Sequence, residues 1–236
     1  MAKIALGGGV AAISGKSGGT VFARNKGGAY MRNFVKPTNP STVYQEEARD
    51  RLTQYSNEWR TMTDAQREAW NAWASEHPVL DRLGAAKTLT GAQAYTKINT
   101  NRDLAGDGAT NSTVPSEPAW AQGLIDTDMA ISADVSDNEI LLPLGAGAAE
   151  NQIVFVYATP AISPGVTNSQ NQERLVAVHT ITSGEVGDGE FDIAADWVDR
   201  FGPLTGQTGR KIAAHCYQYL QGQLGAAYQV SGIVAA

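Results

Sequence analysis

The 236 residues, 42% of them apolar and 18% charged, suffice for two small globular domains, and no apolar run approaches the roughly 20 residues that a bilayer-spanning helix needs. A single cysteine, Cys216, excludes an internal disulfide and fits synthesis in a reducing cytoplasm; Met1 to Gly9 lacks the apolar core of a secretory signal, so none is expected. The net charge of −6 divides unevenly: residues 1–40 carry six bases (Lys3, Lys16, Arg24, Lys26, Arg32, Lys36) and no acid, residues 41–103 eight bases and nine acids, and residues 104–236 four bases (Arg174, Arg200, Arg210, Lys211) against fifteen acids. A basic arm on an acidic body predicts ends that face different surroundings, through attraction between neighbouring copies or anchoring on an acidic platform. The bases of the arm are too sparse for a specific nucleic-acid site.

In chain order, residues 1–40 read as an extended arm. Thr20 to Arg24 and Ala29 to Val35 are β-prone, and Asn25-Lys26-Gly27-Gly28 between them predicts a hairpin loop. The arm is too poor in apolar residues to bury a core, and a lone hairpin is marginal in water, so it needs a surface to lie on. Pro37 and Pro40 stop the extended segment. Three capping boxes, Thr42-x-x-Gln45, Thr63-x-x-Gln66 and Thr90-x-x-Gln93, then open three helices over 41–102. Ala48, Leu52, Tyr55 and Trp59 recur at four, three and four residues on the first helix, which predicts one buried stripe. Leu52, Tyr55, Trp59, Trp70, Trp73, Tyr95 and Ile98 are the expected core of this small module.

Residues 103–118, rich in Gly, Pro and small polar residues, read as a linker. From there the apolar period switches to two. Met129–Ile131, Glu139–Leu144, Ile153–Tyr157, Leu175–Ile181, Gly189–Ile193, Ile212–Tyr219 and Ala226–Val234 give about seven strands, with a short helical turn over Ala194–Phe201. Such spacing predicts an antiparallel β-sandwich over 119–236, immunoglobulin-like or jelly-roll-like, with a partly open barrel as the alternative. The fold class expected is thus α+β and multidomain.

The chemistry-bearing residues are few. Gly15-Lys16-Ser17 imitates a phosphate-binding loop, but the required first glycine position is Val10, and an extended segment follows where a helix should start. His77 precedes Pro78 at a helix end; His179 lies in a strand; His215 and Cys216 are strand neighbours that point to opposite faces and so share no metal readily. Asp126, Asp128, Asp134, Asp137 and Glu139 are dense, yet no Asp-x-Asp-x-Asp-Gly calcium loop is present. Catalytic residues, a cofactor and a metal are therefore not expected.

The order Ser14-Gly15-Lys16-Ser17-Gly18-Gly19-Thr20-Val21-Phe22, then Gly27-Gly28-Ala29-Tyr30-Met31-Arg32, then Lys36-Pro37-Thr38-Asn39-Pro40-Ser41-Thr42, resembles the opening of virion structural proteins of tailed phages and prophages. Trp59-Arg60-x-x-Thr63-x-x-Gln66-Arg67-x-x-Trp70, followed by Leu89-Thr90-Gly91-x-x-x-Tyr95 and Asn99, extends the resemblance over about residues 1–102. In that group the module is often followed by a variable β-rich domain, and none of these motifs is catalytic. The resemblance implies a structural protein made in the host cytoplasm and located in the virion. Capsid, neck or tail subunits and further copies of the chain would be its partners, with no membrane and no specific nucleic acid.

The reading is a non-enzymatic virion component, first a head decoration or cement protein, next a neck, tail or baseplate component. Phe22, Arg24, Lys26, Tyr30, Arg32, Phe34 and Lys36 are its candidate docking residues. A host-surface glycan-binding module is the alternative of another class, with Trp197, Tyr217 and Tyr219 as its aromatic candidates. A cell-wall hydrolase would need paired carboxylates or a metal cluster, which the sequence does not present.

Overall fold

The computed structural model describes residues 2–3, 12–25, 28–36, 38–80, 86–107, 113–116, 120 and 123–236. The protein is mixed α+β, with five α-helices among the described residues and a large, curled, mostly antiparallel sheet. It divides into two compact units, Met1–Ala48 and Arg49–Ala236.

The first unit is a four-stranded sheet ordered β1-β4-β3-β2, made of β1 (Ala2–Lys3), β2 (Gly15–Ser17), β3 (Thr20–Asn25) and β4 (Gly28–Asn33). The expected hairpin is β3–β4, in register from Thr20↔Asn33 to Asn25↔Gly28. Lys26 and Gly27 of its loop lie outside the described residues.

Helix α1 (Val43–Thr61) starts one residue after Thr42, whose carbonyl accepts from the Gln45 and Glu46 N–H groups at 2.9 and 3.0 Å. Helix α2 (Asp64–Glu76) follows, then the small hairpin β5 (Val79–Leu80) and β6 (Ala86–Lys87), then α3 (Gly91–Leu104). Thr63 and Thr90 form complete capping boxes with Gln66 and Gln93, so the first orphan N–H groups of α2 and α3 are satisfied locally.

An aromatic cluster closes these helices together. Trp70 is fully buried, with its ring 5.4 Å from that of Tyr95 in a T-shaped contact. Tyr55 meets Tyr95 edge-on at 6.4 Å, Trp59 meets it at 5.7 Å, and the Tyr95 hydroxyl donates to Glu58 Oε2 at 2.9 Å. Tyr55, Trp70, Tyr95 and Ile98 are buried and Trp59 and Trp73 partly buried.

Leu52 is a correction, because it is 56% exposed. The inward stripe of α1 runs through Arg51, Tyr55 and Glu58 and on to Met62 just past its end: Arg51 pairs with Asp103 at 2.6 Å, and Met62 is buried. Adjacent helix positions are about 100° apart, so Leu52 lies off that stripe.

The rest of the second unit is built on strands β7 (Ser132–Asp134), β8 (Glu139–Pro143), β9 (Ile153–Ala158), β10 (Arg174–Thr180), β11 (Glu190–Asp192), β12 (Lys211–Leu220) and β13 (Gln223–Ala235). They form one sheet ordered β10-β9-β12-β13-β7-β8-β11, antiparallel except for β13–β7, which is parallel. Helix α4 (Ser183–Asp188) and helix α5 (Ala194–Phe201), the expected helical turn, complete the unit. Helix α4 was not anticipated, although Thr182 and Glu185 form another complete capping box.

The core lies on one face of the curled sheet. Val156, Ala158, Ala214 and Cys216 from its middle strands meet Ile140, Leu142 and Phe191 from its far end, with Trp197 of α5 packed among them. The Trp197 indole N–H, which could not be buried unpaired without cost, donates to the Thr159 carbonyl at 2.9 Å.

The segment expected as a linker begins inside α3 and is tied to the β12–β13 turn. Gln221 and Gly222 both have positive φ, 49° and 87°, the pattern of a two-residue type I′ hairpin turn. Gly222 accepts from Asn101 Nδ2 at 2.8 Å, and a Cβ there would come within 2.6 Å of the Ile98 carbonyl. Ser116 donates to Gln221 Oε1 at 2.7 Å, and the Tyr219 hydroxyl donates to Asp107 Oδ2 at 2.7 Å.

Replacing Trp70 by alanine removes the largest wholly buried ring of the helical cluster and is expected to cost about 3–5 kcal/mol. Leu52→Asn is expected to stay within about 0.5 kcal/mol of the parent. Urea denaturation of the two variants checks both, and a Leu52→Asn cost equal to that of Trp70→Ala would refute the assigned helix phase.

Candidate functional site

The first unit is where the apolar accounting does not close. The β2–β3 turn is Gly18-Gly19, with Gly18 at φ +55°, and β3 pairs on both sides, with β2 and with β4. Because side chains alternate across a strand, Phe22, Arg24, Ala29 and Met31 share one face, while Lys16, Val21, Ala23, Tyr30 and Arg32 share the other. Each face therefore carries both apolar and basic side chains.

Among the residues of this unit whose exposure is described, 12–24, 28–36 and 38–48, none is buried. Phe22 and Tyr30 are half-buried, and Arg24, Arg32, Phe34 and Lys36 are exposed; Lys26 lies outside the described residues. Six of the ten exposed large apolar side chains among the described residues (Ile13, Met31, Phe34, Val35, Val43 and Tyr44) fall in this one unit, which marks it as the apolar surface with least cover. Phe34, 48% exposed, has the Lys16 ammonium 3.7 Å from its ring centre, a cation–π contact open to solvent.

The sheet also has open edges. Among the described residues strand β2 pairs only with β3 and stands at the edge of the strand order, the position from which a sheet can be extended by another strand. Lys16 at its centre blunts indiscriminate strand addition, since a charged edge disfavours pairing with a random apolar strand.

The other sequence candidates take structural places. Gly15–Ser17 forms strand β2, with a strand and not a helix following it; Gly9 and Val10 lie outside the described residues. His77 caps α2, with Nδ1 2.7 Å from the Trp73 carbonyl and its ring stacked on Trp73 at 4.2 Å. His179 stacks on Phe191 at 4.8 Å and bonds both oxygens of Glu185, at 2.9 and 3.0 Å. Burial pushes the Glu185 carboxyl up, but bonds from the Thr182 N–H, His179 and the Thr182 hydroxyl outweigh it and hold the carboxyl below its ordinary range.

Cys216 is fully buried on the core face, and burial pushes its thiol up to about 12, so it stays protonated and unreactive at neutral pH. His215 lies on the opposite face, 2.9 Å from Glu173 Oε2. Asp126 and Asp134 accept from residues two positions on, Asp128 and Ser136, as turn-forming carboxylates do. Among the described residues no group of three or more His, Cys, Asp or Glu is placed to hold a metal ion.

Of the aromatic glycan candidates, Trp197 and Tyr219 are buried at 1% and 6% exposure. Tyr217 is half-buried and lines a cavity of about 910 Å³.

No known family, curated protein or solved structure matches this chain. Among the described residues no helix is long and apolar enough to cross a membrane.

Limited trypsin digestion of the isolated protein is expected to cut first within residues 1–40, where Lys16, Arg24, Arg32 and Lys36 are exposed, while 119–236 survives. Full protection of the arm in a demonstrated monomer would show that it needs no neighbour.

Proposed function

We propose that the protein is a non-enzymatic structural component of a tailed-bacteriophage particle, made in the host cytoplasm and docked through its N-terminal sheet onto neighbouring virion subunits. One observation carries this reading: an ordered four-stranded sheet, free of acidic residues and bearing exposed bases, in which no described residue is buried. Such a sheet gains most of its stability from whatever covers it.

Three further considerations support the reading. The exposed bases of the sheet suit an acidic surface, and residues 104–236 carry fifteen acids against four bases, so a second copy of the chain is a fitting neighbour. Edge strand β2 can add to a partner sheet through main-chain hydrogen bonds, with Phe22 and Met31 on one face and Tyr30 on the other supplying specificity. The resemblance of residues 1–102 to phage structural proteins, read from the sequence motifs alone, suggests the setting.

In this reading the two ends of the curled sheet stack as the layers of an immunoglobulin-like or jelly-roll-like sandwich. The core draws on both ends, Ala177 of β10 and Phe191 of β11 among them, as a sandwich requires. Head decoration comes first as a location, with neck, tail or baseplate next.

Quantitative mass spectrometry of purified source particles tests the setting. Hundreds of copies per particle are expected for a head decoration protein, whereas a few copies in multiples of a ring symmetry move the protein to neck or tail. Absence from the particle refutes the virion reading. A chain lacking residues 1–40 is expected to keep its far-ultraviolet circular dichroism over the second unit and to lose incorporation; undiminished incorporation would refute docking through the sheet.

A further inference from the structure

A groove within the second unit points to a function separate from assembly. Two cavities, of about 910 and 440 Å³, meet at Val79, Lys97 and Leu224, which line both. Sharing these residues, they lie side by side as a groove, and each is in the size class of ligand sites.

Aromatic rings stand at both ends. In the larger cavity Tyr157 and Tyr217, neighbours on β9 and β12, meet at 5.6 Å with their planes 84° apart. In the smaller one Trp73, stacked on His77, and Trp120 form the wall. Tyr157, His215 and Tyr217 lie on the sheet face opposite Cys216 and the core, by the register His215↔Tyr157 and Cys216↔Val156.

Between the rings the wall is polar. Glu173 lines the larger cavity with its side chain only 9% exposed. One of its oxygens lies 2.9 Å from His215 Nδ1, and the other, Oε1, has no hydrogen-bond partner among the described residues. A carboxylate oxygen so placed costs free energy until a donor reaches it. Gln170 supplies a further donor and acceptor, and Lys97 a cation, on the same cavity.

We propose that this groove binds a neutral oligosaccharide. Along the groove Glu76 and Glu173 stand against Lys97, a near balance that favours neither a strong cation nor a strong anion. Sugar hydroxyls donate to Glu173 and accept from Lys97 and Gln170, while the C–H faces of the rings stack on Tyr217 and, further along, on Trp73 or Trp120. Two aromatic platforms joined by one groove suit a chain of several sugar units better than a single one. Burial raises both tyrosine hydroxyls above their ordinary range, so they remain hydrogen-bond donors across the physiological range. The site lies wholly in the second unit and does not depend on the docking sheet.

Isothermal titration of the full chain with maltohexaose, chitohexaose, a rhamnose hexasaccharide and free glucose tests the proposal. At least one hexasaccharide is expected to bind with a millimolar or tighter Kd, more tightly than glucose and with little dependence on salt. Tyr217→Ala and Glu173→Gln are each expected to weaken that binding about tenfold or more. Tyr217→Phe, which keeps the ring, should retain most of it, and circular dichroism confirms that the variants fold. Failure of every hexasaccharide to bind, or binding that neither variant weakens, overturns the proposal and leaves the docking sheet untouched.

Discussion

Strands β12 and β13 pair from Lys211↔Ile233 to Leu220↔Gln223, and the second unit is arranged around that hairpin. Strand β12 also pairs with β9, and β13 also pairs with β7, so the hairpin joins the two ends of the seven-stranded sheet. One face of β12 presents Ile212, Ala214 and Cys216 to the core, and the other carries His215, beside Glu173, and Tyr217, which lines the groove. Its type I′ turn takes the Asn101 side chain and leaves no room for a Cβ at Gly222, which seats α3 on the sheet. The helices and the β region are thereby one body, held by a turn whose two positive φ angles the type I′ geometry requires.

The first unit has no equivalent. Its strands pair in register, yet no side chain whose exposure is described there is taken out of solvent far enough to count as buried. Backbone pairing alone contributes little net stability in water, because each strand bond replaces bonds to water. The difference between the two units is thus one of burial and not of hydrogen bonding. It also explains why opposite charges sit at opposite ends of the chain: an arm stabilised by a neighbour benefits from long-range attraction that brings the neighbour in.

Much of this was legible locally. Thr63-x-x-Gln66 and Thr90-x-x-Gln93 marked α2 and α3 because a capping box is written within four residues. The same signal stands at Thr182-x-x-Glu185, directly after the strand-like run that ends at Ile181, and opens α4. The alternation of Ile153–Tyr157 and Ile212–Tyr219 placed β9 and β12. Leu52 was misplaced because Arg51, a charged residue, occupies the inward position beside it and pairs with Asp103, a partner no periodicity reveals. The parallel β13–β7 pairing joins segments far apart in the chain, so no turn signal announces it. The groove was invisible for the same reason: Lys97, Tyr157, Glu173 and Tyr217 come from separate segments, and only Tyr217 stood out as an aromatic candidate.

The central claim is that the N-terminal sheet is completed by a neighbour, and amide hydrogen exchange of residues 15–33 measures that directly in the free chain and in the assembled particle. Fast exchange in the free monomer and strong protection in the particle are the results predicted here, since local opening is cheap where little is buried. Equal and strong protection in a demonstrated monomer would contradict the account, because the sheet would then hold itself.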